Sequence, residues 1–137
     1  MNKFFGIALV LIAVAIAVVP HYSDCQSQGR ILTTADGKQV SMKCHWSGIA
    51  EIGVAVPLAI VGGMLAFTRR RSNLFSLGIL GVALGALAIA FPGGLIGTCT
   101  MPSMICNTTM KPALYVLGGV AIAGGAGTLF MSRKAKE

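Results

Sequence analysis

The cysteines are the residues of this sequence best suited to chemistry. Cys25 and Cys44 lie in one polar stretch of the chain, and Cys99 and Cys106 lie in another. In an oxidising compartment, cysteines in such small polar regions form disulfides that persist. Four cysteines allow three pairings. We expect Cys25–Cys44 together with Cys99–Cys106, and pairing between the two stretches is the alternative.

Ligands for a soft metal ion lie in the same two stretches. Cys44 is followed by His45, and Met101 and Met104 lie between the other two cysteines. Thiolate, thioether and imidazole groups are the ligands that Cu(I) selects. However, the cysteines lack CxxC spacing, and oxidised cysteines cannot bind a metal as thiolates. Copper binding, or thiol–disulfide exchange at the same residues, is therefore the alternative to structural disulfides, and the leading prediction includes no cofactor.

Acid–base catalysis has little support in the sequence. The chain contains four acidic residues, no phosphate-binding loop and no nucleophile elbow, so we predict no catalytic residue and no enzymatic activity. Glu51 stands out because it lies inside an apolar block, where an ionisable residue is a candidate for function. We interpret Glu51 as a structural or partner-contact residue, and a small homo-oligomeric channel or carrier is the alternative.

Long apolar blocks must position these groups. The composition is 55% hydrophobic and only 11% charged, whereas soluble domains carry about 25% charged residues. A membrane-spanning helix needs about 20 apolar residues, and its backbone groups must be paired within the helix. Four blocks meet this length, at residues 4–20, 47–68, 73–92 and 112–131. Residues 1–137 are therefore predicted to form one domain, an all-α integral membrane protein built as a bundle of four transmembrane helices.

The basic residues predict the orientation of the bundle. Lys3, the arginine run at 69–71 and the basic tail at 133–136 lie on one side of the predicted spans. Because cytoplasmic loops are enriched in lysine and arginine, both termini are predicted to be cytoplasmic in the cell membrane. Loops 21–46 and 93–111, which hold every cysteine, are then extracytoplasmic. The net charge of +7 reflects this topology and does not indicate nucleic-acid binding.

The first external loop is predicted to contain a β-hairpin. Residues 30–34 and 38–42 suit strands, and residues 35–37 between them suit a turn. An isolated two-stranded hairpin is marginally stable in water, and a disulfide is a common brace for so small a unit. We therefore expect a small disulfide-braced extracytoplasmic β-hairpin cap, with Cys25–Cys44 closing its base.

Aromatic and small residues complete the prediction. Tyr22, Trp46 and Tyr115 lie near the external ends of the spans, where such rings anchor helices at the membrane surface. Small residues let helices approach closely in lipid. We assign helix packing to Gly78, Gly81, Gly85, Gly118, Gly119, Gly124, Gly125 and Gly127. Most of this packing is expected inside the bundle, although the fourth span has small residues on more than one face and would also suit a second membrane protein.

Several short motifs resemble those of one protein family. They are the run from Met42 to Trp46, Glu51, the run from Ile96 to Cys99, Cys106, and the run from Lys111 to Leu114. Together they resemble an uncharacterised prokaryotic family of four-span membrane proteins, a domain of unknown function, over nearly the whole chain. Members of that family look like neighbours of exporters that have an ABC-type permease of the macrolide-exporter kind. The resemblance therefore implies that this protein is an accessory membrane subunit. It assigns no catalytic residue.

The leading functional hypothesis is therefore a non-enzymatic accessory or scaffold subunit. We expect it to lie in the lipid bilayer and to associate with a larger transporter, such as that ABC-type permease, or with copies of itself. An extracytoplasmic copper or thiol-redox protein is the second hypothesis, and it depends on the cysteines. The homo-oligomeric channel or carrier is the third, and it depends on Glu51.

Overall fold

A computed structural model of the chain contains four long α-helices and one small β-hairpin, and it describes residues 2–23, 25–26, 29–68 and 70–134. The helices are α1 (Asn2–Ser23), α2 (Lys43–Phe67), α3 (Arg71–Ala90) and α4 (Lys111–Lys134). The strands are β1 (Leu32–Thr33) and β2 (Gln39–Val40). Two π-helical turns, Phe91–Leu95 and Cys106–Met110, lie between α3 and α4.

All four helices are long and apolar enough to cross a membrane. The prediction of four apolar helices is thereby confirmed, and the chain has the character of a multi-pass membrane protein. The boundaries differ most at α2, which begins at Lys43 rather than at residue 47. This earlier start places Cys44 in the first turn of the helix, where its position is fixed by helical geometry.

The order of the helices brings both cysteine-bearing segments to the same end of the bundle. Residues 24–42 connect α1 to α2, and residues 91–110 connect α3 to α4, whereas residues 68–70 connect α2 to α3 at the opposite end. We call the end of the bundle where the two cysteine-bearing segments lie the cysteine end. Of the basic residues that predict the orientation, Arg69 and Lys136 lie outside the described residues.

The bundle is built from two helix pairs, because α1 packs mainly against α2 and α3 packs mainly against α4. In the first pair, Gly6 and Gly62 face each other at the crossing. A β-carbon on Gly6 would lie 2.6 Å from the carbonyl oxygen of Gly62, and one on Gly62 would lie 2.8 Å from that of Gly6. This contact was not predicted, since the sequence analysis considered glycines only in the third and fourth spans.

The second pair uses glycines that the sequence analysis assigned to packing. A β-carbon on Gly85 or on Gly118 would lie 2.9 Å from the carbonyl oxygen of the other residue, and one on Gly125 would lie 2.9 Å from that of Gly78. At Gly81 the nearest atom would be the α-carbon of Gly125, at 3.5 Å. The backbones of α3 and α4 therefore touch directly, as small residues allow in lipid.

The remaining glycines of α4 have different surroundings. An added β-carbon on Gly124 would meet the side chain of Leu9, and one on Gly127 would meet the ring of Phe5, so both positions face α1. Gly119 is exposed, with nothing within 4 Å of an added β-carbon. Gly119 therefore lies on the outer surface of the bundle.

Replacing Gly85 with valine will lower the stability of the bundle by about 1–3 kcal/mol, the usual cost of forcing extra carbons into a packed interface. The new side chain would push α3 away from α4. Gly119→Val is the matched control, because its side chain would enter open space. Thermal unfolding in detergent measures both variants, and equal midpoints would contradict the close α3–α4 contact.

The hairpin is smaller than predicted and fully exposed. Leu32 pairs with Val40, and Thr33 pairs with Gln39, in an antiparallel ladder of two residues per strand. Gly37 has a φ of 75° in the turn, a backbone conformation that glycine adopts readily. All of residues 29–40 are exposed. The strands are short because neither face of the hairpin packs against the bundle.

Candidate thiolate metal site

Four different chain segments carry the cysteines to the cysteine end. Cys25 lies in the turn that follows α1, and Cys44 lies in the first turn of α2. Cys99 lies between the two π-helical turns, and Cys106 begins the second of them. The four sulfur atoms all lie within 4.8 Å of one another. The fold thus gathers every cysteine of the chain into one group, which we call the thiol cluster.

The distances within the thiol cluster are those of a compact group of ligands. The Sγ atoms of Cys25 and Cys106 are 2.7 Å apart, those of Cys44 and Cys99 are 3.2 Å apart, and those of Cys25 and Cys99 are 3.8 Å apart. A tetrahedral ion with metal–sulfur bonds of about 2.3 Å needs sulfurs about 3.8 Å apart. If the sulfurs of the two closer pairs moved slightly apart, the four cysteines would have the geometry of a four-thiolate site.

The disulfides predicted from the sequence are not present. All four cysteines are free thiols, so the cap is not disulfide-braced. The expected Cys25–Cys44 and Cys99–Cys106 pairs are also not the closest ones, because the two shortest contacts each join the first loop to the second. The physical reason is the bundle topology, which holds both loops over the same end and lets each cysteine meet those of the other loop.

Burial shapes the chemistry of these thiols. Desolvation by burial raises the pKa of the Cys25 thiol to about 12 and also raises the pKa of the Cys99 thiol. Redox-active cysteines need a lowered pKa, because the thiolate is the nucleophile. At neutral pH, Cys25 is therefore a protonated thiol with little reactivity toward disulfides. Metal binding would displace its proton, as it does wherever cysteine binds a metal.

The side chain of Asn107 holds the loop that carries Cys99 and Cys106 in place through hydrogen bonds. The amide nitrogen of Asn107 donates to the carbonyl oxygens of Cys99 (2.6 Å) and Met101 (2.9 Å), and its oxygen accepts from the Thr98 hydroxyl (2.6 Å). Asn107 directly follows Cys106, so one side chain ties the two cysteines of this segment together. Sequence reasoning missed this role, although an asparagine beside a loop cysteine is the available signal.

A further hydrogen bond joins α2 to the loop between α3 and α4. Ser47 is fully buried, and its hydroxyl donates to the carbonyl oxygen of Gly97 at 2.7 Å. Gly97 has a φ of 84°, which lets the chain turn just before Cys99. Ser47 lies one helical turn after Cys44, so this bond sets the distance between Cys44 and Cys99. Sequence reasoning did not single out Ser47.

The residues proposed as further metal ligands lie at different distances from the thiol cluster. The Sδ atom of Met104 is 4.0 Å from the sulfur of Cys25, and that of Met42, which the sequence analysis did not select, is 3.9 Å from the sulfur of Cys99. Met101 is exposed on the rim of the site. His45 is not part of the thiol cluster, and its ring lies edge-on against Trp46.

The three predicted anchor residues have exposed side chains near the cysteine end. Tyr22 and Trp46 are exposed on the last turn of α1 and the first turn of α2. Tyr115 is exposed near the start of α4, with the ammonium of Lys111 5.9 Å from the centre of its ring. Aromatic rings at one level of a bundle are typical of the boundary between lipid and water.

Glu51 lies inside the bundle, two turns along α2 from Cys44 and one turn from Ser47. Its side chain is 0% exposed, and neither carboxyl oxygen has a hydrogen-bond partner among the described residues. Buried carboxyl groups are normally paired, so Glu51 is the least satisfied polar group in this part of the chain. A pore between copies would not be lined by Glu51, because the residue faces the interior of its own bundle.

Comparison with known families identifies the chain. A family described as a domain of unknown function, DUF4418, matches residues 4–131, which include all four cysteines and almost all of the four helices. The chain belongs to the DUF4418 family. This match confirms the resemblance found in the sequence, and it assigns no activity to DUF4418. No curated protein and no solved structure matches the chain.

Proposed function

We propose that this DUF4418 protein binds a soft metal ion through four thiolates at one end of a membrane-embedded helix bundle. The observation that carries the proposal is the convergence of Cys25, Cys44, Cys99 and Cys106, whose sulfur atoms all lie within 4.8 Å of one another. Soft thiolate ligands select Cu(I) and Zn(II) among biological metals. The protein is a binding protein in this proposal and not an enzyme.

The arrangement favours a metal over two structural disulfides. Cys25 contacts both Cys99 and Cys106, and Cys99 also contacts Cys44, so sulfurs here have more than one sulfur neighbour, as ligands around a single ion do. Three of the four thiols are buried, as the ligands of a closed metal site are. Asn107 and Ser47 hold the cysteine-bearing segments through hydrogen bonds, as residues around a metal site orient the ligands of the metal.

The distribution of charge supports an external location for the site. Lys3, Arg70 and Arg133 lie at the end of the bundle opposite the thiol cluster, and lysine and arginine mark the cytoplasmic side. We therefore place the protein in the cell membrane with both termini in the cytoplasm and the thiol cluster outside. An external site of free thiols would bind metal that arrives from the periplasm or the medium.

Metal stoichiometry tests the proposal. The full chain is purified in mild detergent, and its cysteines are reduced under anaerobic conditions. We expect it to bind one Cd(II) or one Cu(I) per chain, as measured by native mass spectrometry. Cadmium is a useful probe because its thiolate complexes absorb in the ultraviolet. Bound metal should also protect all four cysteines from alkylation. A reduced chain that binds neither ion would contradict the proposal.

Single substitutions separate a four-thiolate site from adventitious binding. Cys44→Ser and Cys106→Ser remove buried ligands and should each weaken Cd(II) binding and the cadmium absorption band, whereas Ser103→Ala, on the exposed loop between Cys99 and Cys106, should leave both unchanged. Four cysteines that resist alkylation without added metal until a reductant is supplied would identify two disulfides instead.

The exposed hairpin supports a second candidate function, an accessory subunit of a larger membrane protein. Ile31, Leu32 and Val40 expose large apolar side chains outside the bundle, and a two-stranded hairpin with no packed face is only marginally stable alone. We propose that the hairpin contacts the external domain of an ABC-type permease of the macrolide-exporter kind, or a second copy of this chain. The helices would then lie beside the partner's spans.

Site-specific photo-crosslinking tests this candidate. A photoreactive residue at Leu32 is expected to capture the permease or a second copy in intact cells, and Val40→Asp should reduce the yield. Thr33→Asp is the matched control, because Thr33 lies on the opposite face of the same hairpin. Capture of lipid alone would contradict a protein partner and leave the metal proposal unaffected.

A further inference from the structure

Methionines line a groove that leads to the thiol cluster. The groove has a volume of about 280 Å³, and its lining includes Met42, Met101, Met104 and Cys99. Cys99 is the one partly exposed cysteine, whereas the other three are buried. An ion that approaches through the groove therefore meets thioethers first and Cys99 as its first thiol.

The thioethers lie close enough to the thiols to share an ion with them. The Sδ atom of Met42 is 3.9 Å from the Sγ atom of Cys99, and that of Met104 is 4.0 Å from the Sγ atom of Cys25. Sulfurs bound to one tetrahedral ion lie about 3.8 Å apart. Each of these pairs could therefore hold the same ion with little movement. Met101, which is exposed, forms the outer rim of the groove.

The chemistry of the groove selects one class of ion. Thioethers are soft, neutral ligands that suit Cu(I), whereas Zn(II) is bound in proteins by thiolate, imidazole and carboxylate groups. Among the residues that the structure describes, the lining contains no histidine and no acidic residue, and its one charged residue is Lys43. A neighbouring ammonium repels a divalent ion more strongly than a monovalent one. Both features favour a singly charged, soft ion.

We propose that Met42, Met101 and Met104 form an access route for Cu(I), which passes from thioethers to the thiolates of the cluster. This inference rests on the proposed thiolate site and names the ion it takes. At the transfer step, the thiol of Cys99 loses its proton to water and its sulfur forms a bond to copper, while a copper–thioether bond breaks. Copper remains Cu(I), and no electron is exchanged.

Isosteric substitutions test the route. Met42→Leu combined with Met104→Leu keeps the volume of both side chains but removes both sulfurs. We expect Cu(I) loading, followed anaerobically by stopped flow, to slow about tenfold, which corresponds to about 1.4 kcal/mol on the barrier, while the final affinity against a coloured cuprous chelator stays the same. Met101→Leu should slow loading in stopped-flow measurements without changing the affinity. Met64→Leu, exposed on α2 far from the cysteine end, is the control.

Cadmium binding distinguishes failure of this inference from failure of the proposed function. The double variant is expected to bind one Cd(II) per chain as tightly as the unchanged protein, because the four thiols remain. An unchanged rate of Cu(I) loading in all methionine variants would overturn the route while leaving the thiolate site in place. Loss of both Cd(II) and Cu(I) binding would also overturn it, since the methionines would then act by supporting the fold of the site.

Discussion

Replacing Asn107 with alanine will lower the metal affinity of the thiol cluster by about ten- to a hundredfold, the usual effect of removing a partner that orients metal ligands. The side chain makes three hydrogen bonds, two to carbonyl groups of the Cys99 loop and one to Thr98. Without them the Cys99 loop is no longer tied to the turn that begins at Cys106. The four thiols remain, so the number of ions bound should stay at one.

The measurement is a cadmium titration followed by competition with a chelator. Thr108→Ala is the control, because its hydroxyl donates to the carbonyl oxygen of Met104, four residues earlier, at 3.3 Å. Asn107→Asp should give an intermediate affinity, since aspartate accepts from Thr98 but cannot donate to the two carbonyl groups. If Asn107→Ala bound cadmium as tightly as the unchanged chain, Asn107 would have no role in orienting the metal ligands.

Replacing Glu51 with leucine will stabilise the bundle by about 1–3 kcal/mol, the range of the desolvation cost of a buried polar group without a partner. Glu51 is fully buried, and its carboxyl group has no hydrogen bond within the described part of the chain. Leucine would fill the same space with apolar atoms, like Leu58 two turns further along α2. A higher midpoint of thermal unfolding in detergent is the expected result.

Glu51→Gln separates the effect of charge from that of polarity. Glutamine has the same shape but remains polar, so it should stabilise the protein less than leucine does. A lower midpoint for Glu51→Leu would mean that the carboxyl group has a structural partner. Higher stability combined with weaker metal binding would show that Glu51 is kept for function at a cost in stability, as functional residues often are.

The membrane fold was predictable from the sequence because its signal is strong and local. A block such as residues 73–92 contains enough apolar residues to define a helix without any knowledge of its neighbours. The hairpin was predicted for the same reason, from strand-forming residues on both sides of the turn that contains Gly37. Its short strands were not predictable, since strand length depends on whether a face becomes buried.

The thiol cluster was harder to predict because its distances depend on packing between elements far apart in the chain. The sequence favoured pairing Cys25 with Cys44 because they are neighbours in one loop, whereas the structure brings Cys25 closest to Cys106. That contact joins the segment after α1 to the segment before α4, so it depends on how the two helix pairs meet, which the local sequence does not reveal. Asn107 was missed because two of its three hydrogen bonds go to backbone carbonyl groups, and an asparagine beside a loop cysteine is only a weak signal of them.

The division of the bundle into two helix pairs has a mechanical consequence. The α1–α2 pair carries Cys25 and Cys44, and the α3–α4 pair carries Cys99 and Cys106, so each half contributes two of the four sulfurs. At the far end the chain itself joins the halves, through the connection from α2 to α3. An ion bound by all four thiolates would join them again at the cysteine end, in addition to the packing of α1 against α4 and of α2 against α3. Loading the site would therefore stabilise the bundle as a whole and not only the loops that carry the cysteines.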